Sequence, residues 1–110
     1  MERLPRLAKT AWLTLETLGI RNVRVMPAGE VLGCPEEAPF DVIIVTAAAP
    51  RLPPELLEQL TIGGRMIIPI GSRYEQDLMK VVRTSESHSL HSLGSCRFVP
   101  LLGKGAWDHA

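Results

Sequence analysis

The side chains most able to do chemistry are scattered through this sequence of 110 residues. Cys34 and Cys96 lie far apart and outside any C-x-x-C pair, which predicts free thiols in a reducing compartment and no zinc or redox motif. His88 and His91 would face opposite sides of a strand, which argues against a shared metal ion. Gly103-Lys104-Gly105 follows the last predicted strand and therefore does not form a phosphate-binding loop.

A run of small residues is a different kind of candidate site. Thr46 to Pro50 follows the strongest β-branched run of the chain and would lie at the carboxyl end of a parallel strand, where open α/β sheets hold their ligands. Its three alanines would let a peptide backbone and a bound cofactor approach closely. Tight packing beneath a helix explains the alanines equally well.

Alternating helices and strands must position these residues. Apolar residues recur at helical spacing from Leu4 to Leu18 and predict a helix with one buried stripe. Pro5 suits its first turn, and Gly19 suits the left-handed residue that follows a helix. The alternating stretch Asn22 to Met26 predicts a short strand, followed by a loop.

The central segments predict a parallel strand, helix, strand unit. Asp41 to Thr46 is a continuous β-branched run, typical of a strand buried on both faces of a sheet. Pro53 and Pro54 open a short helix over Glu55 to Leu60, which Gly63-Gly64 closes ahead of a second strand, Arg65 to Ile70. A right-handed crossover makes the two strands parallel.

The remaining segments predict a terminal antiparallel hairpin. Its strands are Gln76 to Arg83 and Ser95 to Leu101, joined by a polar loop over Thr84 to Ser95. The chain is therefore expected to be a single α/β domain over residues 1–110.

Composition limits the range of partners. Basic and acidic residues balance at 12 each, so no long-range field favours nucleic acid or an anionic membrane. The longest apolar run is far shorter than the roughly 20 residues that a membrane helix needs. The amino terminus resembles no signal peptide, so the expected location is cytoplasmic.

Several ordered blocks carry a resemblance to a known family. They are Glu2–Ala8, Ala38–Pro50, Pro53–Leu60, Gly63–Arg65, Ile68–Gly71 and Arg97–Gly103. Their order and spacing resemble the C-terminal part of the protein-L-isoaspartate O-methyltransferases, downstream of the glycine loop. The resemblance implies a partial Rossmann-like class I methyltransferase sheet, mostly parallel, with the C-terminal antiparallel hairpin, and one incomplete domain.

The resemblance also implies an activity and site residues. Family members transfer a methyl group from S-adenosylmethionine to the free carboxylate of isoaspartyl residues in damaged proteins. Glu2 matches the position that binds the cofactor ribose, although a solvated charge at a helix start is its commoner role. Gly29 and Glu30 stand where the family has a Gly-Asp-Gly turn near the adenine, with the acid displaced by one place. Thr46, Ala47, Ala48, Ala49, Pro50 and Val99 match the substrate-binding blocks, and Val99 could equally be an ordinary strand residue.

The chemistry is plausible without a catalytic base. The segment from Thr46 to Pro50 contains no His, Asp, Glu or Lys. A carboxylate with a pKa of about 4 is ionised at neutral pH and can attack the sulfonium methyl directly. The enzyme would then supply mainly alignment.

The resemblance lacks the family's first strand and glycine loop, which leaves the cofactor site incomplete. The chain alone is therefore expected to be inactive, with unpaired strand edges and uncovered apolar surface. Expected partners are isoaspartyl-containing peptides or proteins, together with a complementary N-terminal segment or a second copy at an open sheet edge. The alternatives are a non-catalytic interaction module and one chain of a split methyltransferase.

Overall fold

A computed structural model describes residues 1–108 of the chain. The elements are helix α1 (Pro5–Thr17), a 3-10 turn (Pro35–Glu37), strand β1 (Phe40–Ile44), helix α2 (Pro54–Leu57), and strands β2 (Leu60–Gly71), β3 (Gln76–Arg83) and β4 (His88–Cys96). The four strands form one sheet in the order β1-β2-β3-β4. Strand β1 pairs parallel with β2, whereas β2–β3 and β3–β4 are antiparallel. The α/β class and the antiparallel hairpin are confirmed, but the sheet is mixed and not mostly parallel.

Helix α1 lies where the apolar spacing predicted it. Pro5 occupies its first turn and Gly19, at φ +71°, follows its end. The predicted buried stripe is wrong, since no residue of α1 is buried and Leu7 and Leu13 remain 40% and 47% exposed. No strand packs extensively against α1 within residues 1–108.

The strand predicted over Asn22 to Met26 is wrong. This segment contains no strand residue, and one isolated parallel bridge follows it, between Pro27 and Glu2. A strand needs a neighbour along its whole length to satisfy its backbone groups, and the described residues place only Glu2 beside this one.

The parallel β1-α2-β2 unit is confirmed. Val42 pairs with Arg65 and Ile44 with Ile67 in the parallel register. Helix α2 is shorter than predicted, and β2 begins at Leu60, so Gly63 and Gly64 lie inside the strand and not ahead of it. Gly63 has φ +86°, and this irregular stretch shifts the register between β1 and β2.

Strand β1 packs against the core on one face only and is partly buried there. Ile43 and Val45 pack against the core, whereas Val42 and Ile44 are 55% and 69% exposed. The prediction of burial on both faces is therefore wrong, because nothing in the described residues covers the face that carries Val42 and Ile44.

The hairpin has a different second strand from the one predicted. Strand β3 matches the prediction, but β4 runs over His88–Cys96, almost entirely within the stretch predicted to be a loop, and residues 97–101 are not a strand. The central residues of β4 are exposed. A strand in contact with water on both faces shows no apolar alternation, which is why the sequence pattern missed it.

The core lies between α2 and one face of β2 and β3. It contains Leu32, Ala49, Leu56, Leu60, Met66, Ile68 and Val81. Arg83, at the end of β3, ties this core to α2: its Nη1 donates hydrogen bonds to the carbonyl oxygens of Leu60, at 2.6 Å, and Glu58, at 3.0 Å. None of the helices within residues 1–108 is long and apolar enough to cross a membrane.

Replacing Arg83 with leucine should lower the free energy of unfolding by about 2 kcal/mol, since charged hydrogen bonds are removed and carbonyls lose their donor. Urea unfolding followed by circular dichroism measures the loss. Arg21→Leu, at an exposed position outside the sheet, is the control and should change stability by less than about 0.5 kcal/mol. Equal losses in both variants would show that Arg83 does not stabilise the end of α2.

Candidate functional site

The predicted substrate residues come together at one end of the sheet. We call Thr46–Pro50 the strand-end segment and residues 97–101 the return segment. Ala48 N donates to Val99 O and Leu101 N donates to Ala48 O, both at 2.7 Å. On the other side, Ala49 N donates to Pro69 O at 2.9 Å and Gly71 N donates to Ala49 O at 3.0 Å. The strand-end segment therefore lies between β2 and the return segment, in parallel bridges with both.

Only part of the strand-end segment is accessible to a ligand. Ala48 and Ala49 are 1% and 0% exposed, and Ala49 belongs to the core. Their methyl groups pack inside the protein, and their backbone groups are hydrogen-bonded, so the packing explanation of the alanines holds for these two. Thr46 is exposed, and Val99, on the return segment, is 70% exposed.

The predicted cofactor residues gather around the start of α1. Glu2 N donates to Met26 O at 3.0 Å, and Ala28 N donates to Glu2 O at 2.9 Å. One carboxylate oxygen of Glu2 accepts a hydrogen bond from Leu4 N at 3.0 Å, which satisfies an amide at the start of the helix. Gly29 and Glu30 continue directly from this paired backbone.

Gly29 and Glu30 line a cleft of about 450 Å³, whereas Glu2 is not part of its lining. Its lining is Met1, Met26, Pro27, Gly29, Glu30, Val31, Gly33, Cys34, Pro35, Glu36 and Glu37. The lining combines apolar side chains with three carboxylates, and contains no Lys, Arg or His. It contains no residue of the strand-end segment, so the structure groups the cofactor and substrate candidates at two separate places.

The Glu36 carboxylate of the cleft is held in its charged form. A hydrogen bond from its own backbone amide, and then one from the Cys34 thiol, lower the pKa of Glu36. Glu37 pairs with Arg24 at 2.9 Å, and this hydrogen bond raises the pKa of the Arg24 guanidinium. At neutral pH the cleft is therefore negative and suited to a cationic or hydroxyl-bearing ligand.

Cys34 is not a nucleophile in this setting. Burial, followed by the hydrogen bond to Glu36, raises the pKa of its thiol, so the thiolate is scarce at neutral pH. Cys34 and Cys96 are both free thiols. His88 and His91 lie on β4, and no group of three metal-ligating side chains occurs within residues 1–108.

Gln59 was missed by sequence reasoning, although it shapes the cleft. Its side chain is buried, accepts a hydrogen bond from Cys34 N at 2.8 Å, and donates to Leu32 O at 2.8 Å and Glu55 O at 2.9 Å. The amide thereby fixes the cleft wall to the end of α2. The available signal was a polar residue between the core positions Leu56 and Leu60.

Comparison with known proteins gives a consistent result. A family model described as protein-L-isoaspartate(D-aspartate) O-methyltransferase matches residues 1–106. A protein-L-isoaspartate O-methyltransferase of Syntrophotalea carbinolica is 49% identical over 108 residues, covering 97% of this chain and 50% of the relative. One from Magnetococcus marinus is 50% identical over 109 residues, covering 98% of this chain and 48% of the relative. The chain thus spans about half the length of the curated relatives it matches.

Solved structures agree. A protein-L-isoaspartate O-methyltransferase superposes with a TM-score of 0.83 and 30% identity, over 96% of this chain and 34% of that one. The PCMT structure from Plasmodium falciparum in complex with S-adenosyl-L-homocysteine gives a TM-score of 0.75 and 27% identity, over 89% of this chain and 49% of that one.

Gly33→Ala should destabilise the cleft wall by about 2 kcal/mol or more, because Gly33 has φ +77° and an added Cβ would strike the Gln59 side chain. Gly29→Ala is the matched control: an added Cβ there meets no atom within 4 Å and Gly29 has no positive φ, so stability should change by less than about 0.5 kcal/mol. Thermal and urea unfolding of both variants measure the difference. A Gly33→Ala variant as stable as Gly29→Ala would contradict this account of the wall.

Proposed function

The chain belongs to the protein-L-isoaspartate(D-aspartate) O-methyltransferase family, and from that premise we propose that it takes part in transferring a methyl group from S-adenosylmethionine to isoaspartyl carboxylates in damaged proteins. The observation that carries the proposal is the family match over residues 1–106. Because the chain spans about half of its curated relatives, we propose that it forms one part of the site and is inactive alone. The reaction is protein repair.

The proposed transfer needs alignment more than acid or base catalysis. An isoaspartyl carboxylate, with an ordinary pKa of about 4, is already a nucleophile at neutral pH. Bound S-adenosylmethionine supplies an activated methyl group on a sulfonium. The protein would hold the peptide so that its carboxylate oxygen lies in line with that methyl, which lowers the entropic part of the barrier. No proton has to be moved.

The strand-end segment and Val99 are proposed to bind the peptide. Thr46, Ala47, Ala48, Ala49 and Pro50 form the segment, and the hydrogen bonds of Ala48 bring Val99 beside it. The exposed Thr46 and Val99 would contact the peptide, while Ala48 and Ala49 hold the backbone in place. This division of roles follows from burial, since fully buried methyl groups cannot touch a ligand.

Glu2, Gly29 and Glu30 are proposed to bind the cofactor. The cleft offers carboxylates for the ribose hydroxyls and adenine amine, and apolar side chains for the ring. Its negative charge suits a cofactor that carries a sulfonium and an ammonium group. The complex of the Plasmodium falciparum relative with S-adenosyl-L-homocysteine supports this class of cofactor.

We also propose that the exposed apolar faces of α1 and β1 are covered by the N-terminal half that the curated relatives have, whether it lies in the same polypeptide or in another. Val42 and Ile44 on β1, and Leu13 on α1, are roughly half-exposed or more. Strand β1 is also an edge with unpaired backbone groups. Self-association through this edge, as an interaction module would show, is the competing outcome.

The free thiols and balanced charge support a cytoplasmic location.

A chimera tests the activity. In it, this chain replaces the matched 108-residue segment of the Syntrophotalea carbinolica relative. The chimera should bind S-adenosylmethionine in calorimetry and methylate an isoaspartyl peptide but not the same peptide with a normal aspartyl linkage. The isolated chain should do neither. Tight cofactor binding by the isolated chain, or a cofactor-binding chimera that ignores the isoaspartyl peptide, would contradict the proposal.

A mixing experiment tests the partner. The chain and the N-terminal half of the same relative, expressed separately, should form a 1:1 complex in sedimentation. Replacing Val42 and Ile44 together with lysine should weaken it at least about 100-fold, because burying unpaired charge costs several kcal/mol.

Leu90→Lys with Leu93→Lys is the matched control, since these exposed residues lie on β4, at the opposite edge of the sheet. The control complex should form as before. A chain that dimerises and leaves the added half unbound would favour self-association instead.

A further inference from the structure

A buried amide lies behind the proposed peptide site. Gln76, the first residue of β3, is 2% exposed. Its Oε1 accepts a hydrogen bond from Phe98 N at 2.8 Å, and its Nε2 donates to Ser72 O at 2.7 Å. Neither bond is part of a strand ladder. The side chain therefore joins two separate stretches of irregular backbone.

Both of these stretches lead directly to the strand-end segment. On one side, Phe98 precedes Val99, whose carbonyl oxygen accepts from Ala48 N. On the other side, Ser72 follows Gly71, whose amide donates to Ala49 O. The two backbones that hold Ala48 and Ala49 are thus linked to each other through Gln76.

The position of Gln76 explains why a side chain is needed. The pairing of β3 with β4 ends where Gln76 lies opposite Cys96. Beyond Cys96 the chain leaves β3 and crosses to Ala48. A side-chain amide that both accepts and donates can replace the ladder bonds lost at this crossing. An apolar side chain of the same size would leave Phe98 N and Ser72 O without Gln76 as partner.

We propose that Gln76 is a positioning residue for the peptide substrate: its amide fixes the return segment against the strand-end segment and so sets where Val99 meets the peptide. The inference rests on the proposed function. It assigns Gln76 no contact with the reacting atoms. Loss of the amide should therefore weaken peptide binding and spare both the cofactor cleft and the transfer step.

Kinetics of the chimera test this role. Gln76→Met should raise the KM for the isoaspartyl peptide about tenfold, as expected when a buried hydrogen bond worth about 1.4 kcal/mol is lost. The kcat, and the KM for S-adenosylmethionine, should stay within about twofold.

Gln59→Met is the matched control, because it removes a similarly buried amide that holds the wall of the cofactor cleft. That variant should raise the KM for S-adenosylmethionine and leave the peptide KM unchanged. Equal effects of both variants on both constants would overturn the proposal, because general destabilisation would explain them.

Gln76→Glu supplies a rescue test. A protonated carboxyl can accept from Phe98 N and donate to Ser72 O, whereas the carboxylate cannot donate. The ratio of its peptide KM to that of the unsubstituted chimera should fall towards one as the pH is lowered. Gln76→Met should show no such dependence, and a pH-independent ratio for Gln76→Glu would count against the paired hydrogen bonds.

Amide hydrogen exchange on the 110-residue chain separates this inference from the proposed function. Gln76→Met should speed exchange at Ala48 and Leu101 about tenfold, and leave Val45, which bonds to Ile67 O at 2.9 Å, unchanged. Unchanged exchange at Ala48 and Leu101 would overturn the positioning role whatever the chimera does. If the chimera binds the cofactor but is inactive, and the exchange rates of the 110-residue chain change as expected, only the proposed reaction is refuted.

Discussion

The parallel pairing of β1 with β2 is the constraint on which both candidate sites depend. A parallel pair needs a crossover between its strands, and here that crossover carries α2 and ends in Gln59, whose side chain holds the wall of the cleft. The same pairing continues past the end of β1 through Ala49, which bonds to Pro69 and Gly71 of β2. One register therefore places the strand-end segment at the end of the sheet, beside β2, and the cleft wall against α2.

Two buried glutamines and a partly buried arginine hold the backbone where regular pairing stops. Gln59 bonds to the backbone of the loop before β1. Gln76 bonds to the backbone of the turn before β3 and of the segment after β4, and Arg83 bonds to backbone carbonyls after α2. Each supplies hydrogen bonds to backbone groups that have no ladder partner, and an unpaired buried backbone group would cost about 1–3 kcal/mol. These three residues allow irregular segments to keep defined positions, which a binding site requires.

The distribution of apolar surface explains how this chain relates to its longer relatives. The core lies on one side of β2 and β3, beneath α2, while Val42, Ile44 and the apolar face of α1 are open. These are the surfaces that the proposed N-terminal half would cover. Because the relatives are about twice as long as the matched region, a covering segment of similar size is available to the family. Burial of β1 on both faces, which its β-branched sequence predicts, would be reached in such an assembly.

The sequence by itself determined the elements whose patterns are local or dictated by burial: α1 with its proline and glycine ends, the parallel pair of β1 and β2, strand β3, and the family that the ordered blocks resemble. It also indicated the small residues of the strand-end segment as candidate substrate-binding residues. Only the tertiary structure decided that His88–Cys96 is a strand and Asn22 to Met26 is not, and that Ala48 and Ala49 pack inward while Val99 stays exposed. Only the structure identified Gln59 and Gln76 as the side chains that hold the backbone at the two candidate sites. The physical reason is that strand pairing and burial depend on neighbours that are distant in the chain. A polar strand forms when another strand aligns with it. A glutamine side chain can hold the backbone only when folding buries it beside backbone groups that lack other hydrogen-bond partners.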